Sequence, residues 1–149
     1  MPDTIRERCI AAVEGLLAAS GGVGGATVER NRDEPVTRFP TIVVVDGAQD
    51  ADEGTTQVTR YTLSLDIEGW VSAKTGKEAG QAANALYGAV VARLKADPSL
   101  GGVAIDLREG RLDMLLSREE GGKPTAGFNL AVEVDFATAY GDPTALGPL

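Results

Sequence analysis

Residues 57–72 read Gln57-Val58-Thr59-Arg60-Tyr61-Thr62-Leu63-Ser64-Leu65-Asp66-Ile67-Glu68-Gly69-Trp70-Val71-Ser72. Tyr61, Leu63, Leu65, Ile67 and Val71 share one parity, which is the period of a strand buried on one face. Sixteen extended residues reach roughly 53 Å. A compact chain of 149 residues is only about 38 Å across. Such a strand must curve, break or project, and projecting strands suit chains that assemble with copies of themselves.

Working outward, Asp46 to Thr55 carries Asp46, Asp50, Asp52 and Glu53 with two glycines and no bulky apolar residue. It reads as a mobile acidic connection that orders on meeting a partner. Before it, Thr41-Ile42-Val43-Val44-Val45 reads as a buried strand, reached through a polar loop over 31–40 with Pro35 and Pro40. After the long strand, Thr75-Gly76-Lys77-Glu78 is a capping box. Ala79, Ala82, Ala83, Leu86, Val90, Val91 and Leu94 then hold one helical face until Asp97-Pro98. A first helix over 4–19 opens on a similar box, Thr4-Ile5-Arg6-Glu7, and stops at Gly21-Gly22. Thr27 to Arg30 is a short strand.

In the C-terminal third, Val103–Leu107 and Arg111–Ser117 read as strands, and Phe128, Leu130, Val132, Val134 and Phe136 alternate along another long one. Glu119-Glu120-Gly121-Gly122-Lys123-Pro124 is a polar hairpin tip between them. Runs of strands without strict βαβ alternation predict an α+β domain. A mainly antiparallel sheet carries two helices on one face, and long strands or a hairpin project from it. The domain spans 1–140, and 141–149 is a flexible Pro/Gly-rich tail.

Composition narrows the function. The net charge of −8 and pI near 4.5 argue against tight binding to phosphate backbones or anionic membranes. An acidic wall can still stand beside DNA that must slide past. Histidine is absent, which removes the commonest general base and metal ligand. Cys9, the single cysteine, lies on the apolar stripe of the first helix and reads as core. No metal or cofactor is expected, because the acidic stretch lacks the spacing of a calcium loop and the Gly-rich run 20–25 lacks a phosphate loop's lysine. Asp66, Glu68, Glu133 and Asp135 match the solvated face of half-buried strands better than a carboxylate pair. Arg30, Arg32 and Arg38 alternate with Glu29, Asp33 and Glu34 and read as inter-subunit salt-bridge partners.

Trp70 is the odd residue of the long strand. Persistent alternation puts it on the polar face with Arg60, Ser64, Asp66 and Glu68, as an anchor for another subunit or under a loop. A bulge at Gly69 would return it to the core. Both readings stay open at this stage.

The order of elements, the phrase Arg38-Phe39-Pro40-Thr41-Ile42-Val43-Val44-Val45, the acidic loop, the long strand and the Ala-rich second helix resemble the tail terminator proteins of long-tailed phages. Tail-completion proteins of prophages and gene transfer agents look similar too. The resemblance covers roughly residues 4–140. It implies a non-enzymatic virion protein at the neck end of the tail, made in the bacterial host cytoplasm. Six copies would form a ring that caps the tail tube, ends its polymerisation and presents the head-joining surface. The implied partners are the chain itself, the tail tube protein and a head–tail connector protein, with DNA passing nearby and no membrane. Ring or tube contacts are carried over to the acidic loop 46–55 and hairpin 117–125. The candidate interface residues are Arg38, Asp50, Asp52, Glu53, Trp70, Glu119, Glu120 and Lys123.

Two other readings are a head–tail connector or neck protein, and a small-ligand-binding α+β regulator with a pocket between sheet and helices. An enzyme ranks last, with carboxylate-only hydrolysis still open.

Overall fold

The computed structural model describes residues 2–54, 57–117 and 122–147. Strand β3 (Val58–Ser72) forms the spine of one six-stranded sheet. It pairs antiparallel with β5 (Thr125–Ala139) through fifteen unbroken positions, from Val58↔Ala139 to Ser72↔Thr125. The long strand therefore neither breaks nor leaves its domain, because a partner of equal length satisfies its backbone along the whole run. Its register passes Gly69 without a bulge.

On the other side of β3 lies β2 (Thr41–Asp52), antiparallel, and beyond it β1 (Thr27–Arg30), parallel to β2. Beyond β5 lies β4 (Asp106–Ser117), also antiparallel, and β6 (Asp142–Leu146) pairs with the end of β5. The order is β1-β2-β3-β5-β4. Helices α1 (Ile5–Ala18) and α2 (Gly76–Lys95) cover one face, so the chain is α+β with a mostly antiparallel sheet. Both helices start where the capping boxes place them: the Thr4 and Thr75 hydroxyls accept the Glu7 and Glu78 amides at 3.0 and 3.1 Å.

The core is aliphatic. Ile42 and Val44 of β2, Leu63, Leu65 and Ile67 of β3, and Leu130, Val132 and Val134 of β5 form its floor. Ile5, Cys9, Val13 and Leu17 of α1, with Ala79, Ala83, Leu86, Val90 and Leu94 of α2, form its roof. Ala79 and Ala83 are fully buried, as close approach of α2 to the sheet requires. The turn after α1 depends on Gly22, whose φ is +96° and whose missing Cβ leaves room for the Ala26 carbonyl.

Three expectations are corrected. The acidic connection 46–55 is strand as far as Asp52, because β3 supplies partners out to Asp52↔Arg60, with an irregularity between Asp46 and Gln49. The segments 103–107 and 111–117 are not two strands. Val103 and Ala104 are buried ahead of one strand, β4, that is irregular between Glu109 and Leu112. The C-terminal tail is not free from 141 onward: Gly141 turns with φ +75°, and the Asp142 carboxylate accepts the Thr144 amide and hydroxyl, which sets up β6.

Candidate interaction surface

Among the described residues no helix or second sheet covers the sheet face away from α1 and α2, and its contents follow from the pleat. Trp70 lies on this face, between Thr41 of β2 and Gly127 of β5. The indole lies across Gly127, since a Cβ there would sit 2.6 Å from Trp70 Cε3, and its Nε1 donates to Glu68 Oε1 at 3.2 Å. The polar-face placement of Trp70 holds over the bulge reading, since the register runs unbroken through Gly69. Gly69 has a different purpose: it opens space on the helix face for the Phe128 ring.

A cleft of about 550 Å³ opens above the indole, walled by Arg32, Pro35, Val36 and Phe39 on one side and by Ser117, Lys123 and Thr125 on the other. Arg32 fixes its first wall. The guanidinium donates to both Glu29 oxygens at 2.9 and 2.7 Å and to the Glu34 and Pro35 carbonyls at 3.0 Å each. A planar fork with four acceptors pins the 31–40 loop to the sheet.

Arg30 is equally occupied within the chain. It takes Glu7 of α1 at 2.6 and 2.9 Å and Asp46 of β2 at 2.8 and 2.6 Å, with Glu14 at 3.8 Å. The inter-subunit role expected for Arg30 and Arg32 is thus replaced by internal stapling. Hydrogen bonds from Arg30 hold the carboxyls of Glu7 and Asp46 below the usual carboxylate range. A carboxyl whose folded pKa is depressed adds stability above its unfolded value, about 4. That stability is lost as pH falls through the folded value. Arg30→Met should therefore lower the urea midpoint at neutral pH and flatten its fall below about pH 4, which denaturation across pH measures.

One carboxylate pair of the strands is engaged as well. Arg108 of β4 clasps Glu133 at 2.9 Å and Asp135, both of β5. Among the described residues no three His, Cys, Asp or Glu side chains group as a metal site. Burial pushes the Cys9 thiol up to about 11, so a disulfide-exchange reagent at pH 8 should label it only once the protein is unfolded. Rapid labelling of the native protein would contradict this placement.

The sequence-derived candidates divide between two places. Trp70 and Lys123 line one cleft, and Arg38 sits in its wall loop beside Phe39, with no carboxylate of the described residues in ion-pair reach. Lys74 joins this end of the sheet, because the Ala73 amide donates to the Pro124 carbonyl at 3.1 Å. Asp50 and Asp52 lie at the far end of β2, about 30 Å along the strand from Thr41, with Glu53 just beyond. Asp50 shares its row with Thr62, Asp135 and Asp106, so that end is rich in carboxylates, whereas the Trp70 end sets Arg32 and Lys123 among Glu34 and Glu68. Glu119 and Glu120 lie outside the described residues.

The expectations passed over Met114, Leu115 and Leu116, the most concentrated exposed apolar group, at the end of β4. The signal was available: three consecutive apolar residues violate the alternation that marks a half-buried strand.

No family model matches the chain, and no curated protein matches it. Among solved structures it is similar to a chain of the virion of a native gene transfer agent (GTA) particle. The identity is 14% and the TM-score 0.40, over 85% of this chain and 93% of that chain. No helix among the described residues is long and apolar enough to cross a membrane.

Proposed function

We propose that this chain is a structural subunit of a phage-like particle, acting by assembly and without catalysis. One observation carries the reading: the end of β4 is apolar on both faces and, among the described residues, bare at its outer edge, a state suited to a subunit and unsuited to a lone domain. The finer form of the proposal is a tail terminator. In it, a closed, six-copy ring caps the tail tube, ends its growth and offers its other side to the head. The difference between the two ends of the sheet, carboxylates around Asp50 and an indole cleft at Trp70, fits such a part, since a ring between two different partners needs two different ends.

Negative-stain imaging of tail tubes mixed with the protein tests this directly. Rings at tube ends are expected, and bare ends at saturating protein would contradict the proposal. Binding to isolated heads and never to tubes would move the assignment to a head–tail connector or neck protein.

The cleft over Trp70 favours a second reading, a small-ligand-binding regulator, although it lies on the face away from the helices and not between sheet and helices: its indole floor with Lys123 at the wall is a seat for a flat aromatic ligand. A rise in melting midpoint on screening aromatic carboxylates would support it.

A further inference from the structure

Met114, Leu115 and Leu116 are 43%, 53% and 57% exposed. The pleat sends Met114 and Leu116 to the helix side, opposite Phe128 and Ala126, and Leu115 to the other, opposite Gly127. β5 takes one edge of β4, and no strand among the described residues takes the other. Strands apolar on both faces belong inside sheets. Free rims are ordinarily guarded by Pro, charged side chains or a bulge, and Leu112–Ser117 has one charge, Asp113, with its register to β5 unbroken past the irregularity that ends at Leu112.

We infer that this segment pairs with the opposite rim of the sheet, β1, in a second copy of the chain; the inference rests on the ring reading and names its seam. Strand direction selects this occupant first. β1 and β2 run together, and each step from β2 through β3 and β5 to β4 reverses, so β4 runs against β1. A neighbour set edge to edge with its helices on the same side thus offers β1 antiparallel to β4, the more stable pairing. The rim of β1 is available. The Thr27 amide donates to Pro40 and the Asn31 amide to Val44, on the β2 side, which leaves the backbone of Val28 and Arg30 facing outward.

Side chains agree with that choice. One row of the sheet runs Met114, Phe128, Gly69, Ile42, Val28. In the unstaggered joint, Met114 therefore stands beside Val28 of the next copy, and Leu116 falls level with Ala26. Arg111, whose side chain is 81% exposed and holds only Asp113 of its own strand, comes toward the exposed Asp33 and Glu34 after β1. The same register sets Asp113 level with Glu29, each already paired within its own chain, with Arg111 and Arg32.

Size sets the form of the assembly. A six-residue rim buries a few hundred Å² per copy at most, short of the roughly 800 Å² per partner of a stable pair. An isolated dimer through this seam is weak. A closed ring uses both rims of every copy and so doubles the contact each one makes.

The test compares wild-type protein with the double variant Leu115→Lys/Leu116→Lys, alone over a concentration series and on tail tubes. Native mass spectrometry and hydrogen exchange are the readouts. The variant should keep the melting midpoint, since both side chains already face solvent, and should need at least tenfold more protein to assemble. In assembled wild type, exchange should slow together in 112–117 and 27–31. Assembly of the variant at wild-type concentrations overturns the seam and leaves the ring reading intact. Protection of 112–117 without 27–31 also overturns it, since some other partner then occupies the rim. Wild type that assembles nowhere overturns both. As an independent check, Met114→Cys/Val28→Cys should form disulfide-linked chains between copies under oxidation, with Cys9 too buried to compete.

Discussion

Valine in place of Gly69 is expected to lower the unfolding free energy by about 2–3 kcal/mol, the upper range of overpacking costs. Gly69 lies opposite Phe128 across β3 and β5, and a Cβ at position 69 would fall within the Phe128 ring. That ring has nowhere to go. It is 1% exposed and meets Tyr87 of α2 edge-on, with centroids 6.0 Å apart and planes at 72°. Urea denaturation should show the midpoint falling with little change in slope. The next pair along the strands repeats the arrangement on the opposite face, with Trp70 over Gly127. Gly127→Val should cost less, because the indole borders an open cleft and can swing away. Trp70 is the single tryptophan, so the fluorescence of that variant should move toward the solvated, red-shifted limit.

Removing the ring is expected to be still more damaging. Phe128→Ala should cost about 3–5 kcal/mol, the transfer energy of the ring plus the cavity left between β3, β5 and α2. With domain stabilities of about 5–15 kcal/mol, that is a large part of the whole. The two substitutions should not add. In Gly69→Val/Phe128→Ala the new methyl groups enter the space the ring vacates, so the double variant should be less destabilised than the sum. Strict additivity would mean that Gly69 is required for a reason other than Phe128.

The parts of this fold legible in sequence are those set by local chemistry. The alternation from Tyr61 to Val71 marks β3, and the boxes at Thr4 and Thr75 mark both helix starts, since each signal lies within a few residues of its effect. What sequence hides is tertiary. Asp50 and Asp52 have nothing apolar to declare a strand, and they are extended because Thr62 and Arg60 bind them. Gly69 looks like a bulge until Phe128, distant in sequence, is placed over it. Arg30 looks available to a neighbour until α1 delivers Glu7. Of the proposed interface, Trp70 was conspicuous as an indole among polar residues. Leu115 breaks the alternation of Leu112, Met114 and Leu116, a signal equally legible in the sequence.

The central claim, that this chain works by closing on itself at the end of a growing tube, is tested most directly by tube length. Tail-tube protein polymerising with and without the chain should be followed by electron microscopy over time. The account predicts that tubes stop lengthening once the protein is added, each carrying a ring at one end. Length distributions that keep growing identically in its presence would contradict it.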